Sequence, residues 1–129
     1  MRYRCADLFP DTLPYNAGIT ASDALWAGLP VLTCMGETFA SRMAASLLTV
    51  THLPELITTT LADYEALAIE LANQPSKLKA TKEKLAHNRL STPLSNTPLF
   101  TRHIEAAYTE MYERYQSDMP PDYIYVADM

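Results

Sequence analysis

NAGITASDALWAG, residues 16–28, joins a small-residue turn to a short apolar helix that carries a single acid. Thr20, followed three positions later by Asp23, has the form of a capping box and makes Thr20 the expected N-cap of the helix. Gly28 stands where a helix ends in a left-handed residue. The segments on either side read as strands. Residues 6–9 are short and apolar, with Pro10 weakening their end because proline has no N–H to donate to a ladder. Residues 29–34, LPVLTC, form the continuous apolar run of a doubly buried parallel strand. Strand, turn, helix and strand make a βαβ unit over residues 6–34, so the chain is expected to be α/β and Rossmann-like.

Beyond Gly36 the pattern is helical. Phe39, Met43, Leu47 and Leu48 share one helical face, and residues 54–57 read as a single helical turn. Thr60 and Asp63 repeat the capping-box form ahead of Leu61, Tyr64, Leu67, Ala68 and Leu71. Asn73, Gln74 and Pro75 stop that helix and start another, with Leu78, Leu85 and Leu90 as its expected buried stripe. Thr97-Pro98 opens the last helix, where Phe100, Ile104, Ala107, Tyr108, Met111 and Tyr115 recur at helical spacing. Two parallel strands make no stable sheet alone, and this helical half offers no obvious third. The expectation is therefore the C-terminal portion of a larger parallel-sheet domain: a partial lobe over residues 1–117, its helical part at 37–117, and a frayed tail at 118–129.

Composition narrows the function classes. With 10 Lys and Arg against 15 Asp and Glu, the net charge of −5 disfavours a nonspecific nucleic-acid binder. Cys5 and Cys34 lie far apart, without CxxC spacing or a His partner, so neither a disulfide framework nor a metal site is expected. No apolar run approaches the ~18 residues of a membrane span, and residues 1–11 have no signal-peptide core. A soluble protein in the reducing cytoplasm is expected.

The turn before the first helix lies at the carboxyl end of a strand, where open α/β sheets bind ligands. Amides around Ile19, Thr20 and Ala21 suit a phosphate, with the Thr20 hydroxyl as a further donor, and Asp23 suits a ribose hydroxyl. The competing reading is plain: Thr20 and Asp23 only cap the helix, Gly18 only supplies a backbone angle, and Trp26 anchors the core. His52, His87 and His103 have no matching nucleophile or carboxylate, so no catalytic residue is assigned. Arg42 reads as a surface cation, Lys77 to Lys84 as a solvated helix face, and the last helix's tyrosines as packing residues. A nucleophile elbow and a P-loop are both lacking.

The stretches DLFPDTLPYNAGITASDALWAGLPVLT (7–33) and GETFASRMAASLL (36–48) resemble the C-terminal catalytic region of the O-linked N-acetylglucosamine transferase and SPINDLY family. The resemblance continues through LPELI (53–57), DYEALAIELA (63–72) and FTRHIEAAYTEMYERY (100–115). Members of that family join tetratricopeptide repeats to a two-lobed, B-type glycosyltransferase. In them the helix start reads His-Thr-Thr and then Asp, and it holds the diphosphate and ribose of a UDP-sugar. By position Gly18 takes the His place, Ile19 and Thr20 the two Thr places, and Asp23 the Asp place, while Arg2 falls where the family has an Arg near the nucleotide. Ile19 lacks the hydroxyl, an expected loss of ~1.5–3 kcal/mol of nucleotide binding.

The resemblance implies a protein O-glycosyltransferase that moves a sugar, N-acetylglucosamine, from a UDP-sugar to Ser or Thr. It implies no cofactor and no metal, and as partners a protein acceptor, an upstream catalytic lobe and tetratricopeptide repeats. The 129 residues are expected to hold only part of the site and to transfer no sugar alone. The alternative is a noncatalytic helical interaction module whose nucleotide loop has decayed, which Ile19 favours.

Overall fold

The computed structural model describes residues 2–127. The architecture is α/β, with three short parallel strands in the order β1-β2-β3. β1 (Phe9–Pro10) and β3 (Ile57–Thr58) flank β2 (Val31–Cys34), all four of whose residues are buried. Phe9 is paired with Val31, and Thr33 with Ile57. β1 covers Phe9–Pro10 and not residues 6–9 as expected, so Pro10 is its last residue and takes part in the pairing. The ladder uses Phe9 N–H and Asp11 N–H, which donate to Pro30 and Leu32 carbonyls, so the N–H that proline lacks belongs on the outer edge of the strand.

The third strand corrects the expectation that the helical half supplies no neighbour for β2. Residues 54–56 do form a 3-10 turn, but the chain then extends, and Met35 N–H donates to Thr58 O at 2.7 Å. Two residues are too few to show a period-2 pattern.

α1 spans Ile19–Trp26, two residues earlier than the capping-box reading with Thr20 as N-cap: Gly18 is the N-cap and there is no side-chain cap. Its far end matches the expectation. Gly28 has φ +85° and donates its N–H to Leu25 O, while Leu29 N–H donates to Ala24 O, a Schellman closure. α2 (Met43–Val50) starts later than the sequence face suggested, leaving Phe39 outside the helix and exposed. α3 (Leu61–Asn73) opens on Thr60, whose Oγ1 accepts from Asp63 N–H at 3.1 Å. α4 (Pro75–Asn88) follows with proline in its first turn, and α5 (Thr97–Gln116) starts after Asn96, whose Oδ1 accepts from Leu99 N–H.

α1 and α2 pack on each other and on β2, α3 on β2 and β3, and α4 on α3. Their shared core holds Ala24, Leu25, Val31, Leu48, Leu71 and Leu85. Leu85 and Thr81 are the buried positions of α4, whereas Leu90 lies past its end and is exposed. The lysines of α4 are not only a solvated face: Lys77, Lys82 and Lys84 reach Glu70, Asp7 and Glu55 at 2.8, 2.6 and 2.7 Å. α5 buries no residue, so its Phe100, Tyr108, Met111 and Tyr115 are not core positions among the described residues. Of the expected tail, residues 119–127 have no regular structure, Arg114 Nη2 donates to Pro120 O at 2.9 Å, and Asp128 and Met129 lie outside the described residues. No helix among the described residues is long and apolar enough to cross a membrane.

Candidate functional site

Two loops leave the carboxyl ends of adjacent strands: residues 11–18 from β1 to α1, and residues 35–42 from β2 to α2. They meet where Asn16 N–H donates to Ala40 O at 2.9 Å. A Cβ at Gly18 would stand 3.3 Å from Met43 Cε, so the amino end of α1 also lies against α2.

The first loop is organised from within. Asp11 is 4% exposed. Its Oδ1 accepts from Thr12 N–H at 2.8 Å and Ala17 N–H at 2.7 Å, and its Oδ2 accepts from Thr33 Oγ1 at 2.8 Å. The Asp11 carbonyl accepts from the Tyr64 hydroxyl of α3 at 2.8 Å. Asn16 Nδ2 donates to Thr12 O, and Asn16 Oδ1 is buried without a hydrogen-bond partner among the described residues. Burial, with Asp11 and Cys34 nearby, raises the Tyr64 hydroxyl above its ordinary pKa. The second loop is held by Ser41, whose Oγ accepts from Thr38 N–H at 3.0 Å.

This interior leaves the tip free. Ile19 is 82% exposed, and Thr20 and Asp23 are exposed beside it. Neither Thr20 nor Asp23 caps α1, which corrects the capping reading. Among the described residues neither side chain enters a hydrogen bond or ion pair. Positions three apart share a helix face, about 5–6 Å between Cβ atoms. A hydroxyl and a carboxylate thus project side by side next to uncapped amides that carry the positive end of the helix dipole. Such an arrangement can hold an anion at the amides and a neighbouring hydroxyl at the acid.

Asp23 also lines a cavity of about 290 Å³ with Ser22, Trp26, Arg89, Ser95 and Thr97, which takes in none of Gly18, Ile19 and Thr20. Trp26 is a wall of that cavity at 59% exposure, not a core anchor. Arg89 crosses it, with Nη1 donating to Trp26 O at 2.7 Å. Arg2 is exposed on a 3-10 turn at Arg2–Cys5. Arg4 of that turn borders a cavity with Trp26 and Ala27, at the carboxyl end of α1. Among the described residues no hydrogen bond or ion pair joins Arg2 to the Gly18–Thr20 end. His52 and His87 are exposed, and His103 is half-buried on α5. Sequence reasoning passed over Asp11, Thr33 and Tyr64. Only an Asp directly after a strand and before a Pro- and Asn-containing turn hinted at the first of them.

Known proteins are similar to this chain over most of its length. It is 34% identical over 113 residues to a probable UDP-N-acetylglucosamine–peptide N-acetylglucosaminyltransferase SPINDLY of Hordeum vulgare, covering 88% of this chain and 12% of that protein. Identity is 35% over 124 residues to the probable enzyme SEC of Arabidopsis thaliana, covering 95% and 13%. A solved mutant of the Thermobaculum terrenum O-GlcNAc transferase matches with TM-score 0.79 at 35% identity, covering 85% of this chain and 21% of that one. The chain thus spans about an eighth of the curated relatives' length. The three parallel strands and their helices match a fragment of the glycosyltransferase-domain fold of the solved relative. The model of glycosyl transferase family 41 matches residues 1–104, and on that match, with these relatives, the chain belongs to glycosyl transferase family 41, as its motifs implied.

Proposed function

We propose that this chain supplies part of the donor site of a protein O-glycosyltransferase that moves N-acetylglucosamine from UDP-N-acetylglucosamine to Ser or Thr. In this reading the Gly18, Ile19 and Thr20 amides and the Thr20 hydroxyl hold the diphosphate, and Asp23 holds the ribose. The observation that carries it is the uncapped amino end of α1, with Thr20 and Asp23 exposed together and free of intramolecular bonds. The names of the relatives, UDP-N-acetylglucosamine–peptide N-acetylglucosaminyltransferases, supply the donor and the acceptor class. Amides and helix dipole meet the diphosphate charge, so neither metal nor cofactor is required. Arg2 belongs to this site only if groups outside the 129 residues complete it near the turn at Arg2–Cys5. In this reading the acid–base groups belong to an upstream catalytic lobe, with tetratricopeptide repeats as a further, noncatalytic partner region. A cytoplasmic setting suits a chain whose Cys5 and Cys34 are both unpaired.

A ¹⁵N-resolved NMR titration with UDP tests the reading. Shifts concentrated at Gly18 to Ala21, lost in Thr20→Ala and Asp23→Ala and unchanged by EDTA, are expected. Absence of any response at these amides at millimolar UDP overturns the donor site. That result would favour a noncatalytic module with the loop as scaffold, the reading that the exposed Ile19 supports. The 129 residues alone are expected to transfer no sugar. UDP-N-acetylglucosamine-dependent labelling of a protein acceptor by this chain would contradict that.

A further inference from the structure

The donor loop contains a buried acid that, among the described residues, makes no hydrogen bond to Ile19, Thr20 or Asp23 and is paired with no cation. A buried carboxylate in that position is costly unless its oxygens are fully bonded. Asp11 meets this condition with donors drawn from three places: Thr12 at the start of the loop, Ala17 at its end, and Thr33 on the central strand. Oδ1 alone takes both amides, so one oxygen pins the two ends of the turn together. The Asp11 carbonyl receives the Tyr64 hydroxyl, which adds α3 to the same anchor. Ala17 precedes the Gly18 N-cap directly, so the bond at 2.7 Å sets where the helix begins and where its first amides point.

We propose that Asp11 is the positioning residue of the donor loop: through Ala17 and Thr33 it fixes the direction of the Gly18–Thr20 amides, and its removal weakens UDP binding without touching UDP. The proposal rests on the donor-site reading above. Its chemistry makes the conservative variant informative. Asp11→Asn keeps one carbonyl oxygen for both amides, and its Nδ2 can donate to Thr33 Oγ1, which reverses that one bond. Asp11→Ala removes all three.

The test measures UDP affinity by NMR titration and amide hydrogen exchange at Ala17, with far-UV circular dichroism to confirm the fold, in the unaltered chain and in each variant. Asp11→Ala is expected to weaken UDP about tenfold and to speed Ala17 exchange by about tenfold or more. Asp11→Asn is expected to stay within about threefold on both measures. A folded Asp11→Ala with unchanged UDP affinity overturns the proposal, as does an Asp11→Asn that loses as much as Asp11→Ala. Should Asp11→Ala fail to fold, Thr33→Val, which deletes only the donor to Oδ2, is expected to weaken UDP by about threefold and speed Ala17 exchange. No change in either overturns the proposal. If the unaltered chain gives no UDP response, the donor-site reading falls and Asp11 falls with it as a donor-site residue. A normal UDP response that ignores Asp11 sinks only the present inference.

Discussion

Gly28 and Ile19 mark the two ends of α1, and each is a single-residue lever on a different property. At Gly28 the backbone has φ +85°, and there is space for a side chain, since an added Cβ would meet only Arg89 Nη1 at 3.6 Å. The cost of substitution is therefore conformational. Gly28→Ala should lower stability by about 1–2 kcal/mol in urea unfolding. Gly36 is the opposite case: an added Cβ would lie 2.5 Å from Ser41 Oγ, inside the bonds that shape the second loop. Ile19 is 82% exposed and contributes an amide but no hydroxyl to the proposed diphosphate site. Ile19→Thr should tighten UDP by roughly 1.5–3 kcal/mol, read in the same titration, with little change in thermal stability.

At the level of elements, two identical Thr-x-x-Asp patterns have different fates. At Thr60 the backbone is extended, with φ −126° and ψ 151°, so its hydroxyl faces the first turn of α3 and takes the Asp63 amide. Thr60→Ala should cost about 1 kcal/mol of stability by chemical unfolding. At Thr20 the helix has already begun, and the hydroxyl is left outward. α3 also contributes Tyr64, whose pKa is raised by burial and then by Asp11 and Cys34. The folded state thus holds the phenolic proton more tightly than the unfolded chain. Its contribution is complete below the unfolded value, about pH 10, and is lost as pH rises through the folded value. Tyr64→Phe should flatten the loss of stability above about pH 10, as read by urea unfolding across an alkaline series.

Over the whole molecule, stability is uneven. α1 to α4 share one core with β2, while α5 buries no residue and exposes Phe100, Tyr108, Met111, Tyr112 and Tyr115. Amides of α5 should exchange markedly faster than those of α1 and α3 in native-state hydrogen exchange, because few buried contacts oppose its opening. The sequence by itself determined what depends on neighbours a few residues away: the βαβ order, the Gly28 closure, the Thr60 cap, the breaks at Pro75 and Pro98, and the motifs that carry family membership. Tertiary structure decided where α1 starts, that residues 57–58 become a strand, that Trp26 lines a cavity, and that the α5 stripe stays outside the core. The physical reason lies in the range of the bonds: Asp11 reaches Thr33 and Tyr64 across 22 and 53 residues of chain, and no local pattern reports which buried donors will meet an acid.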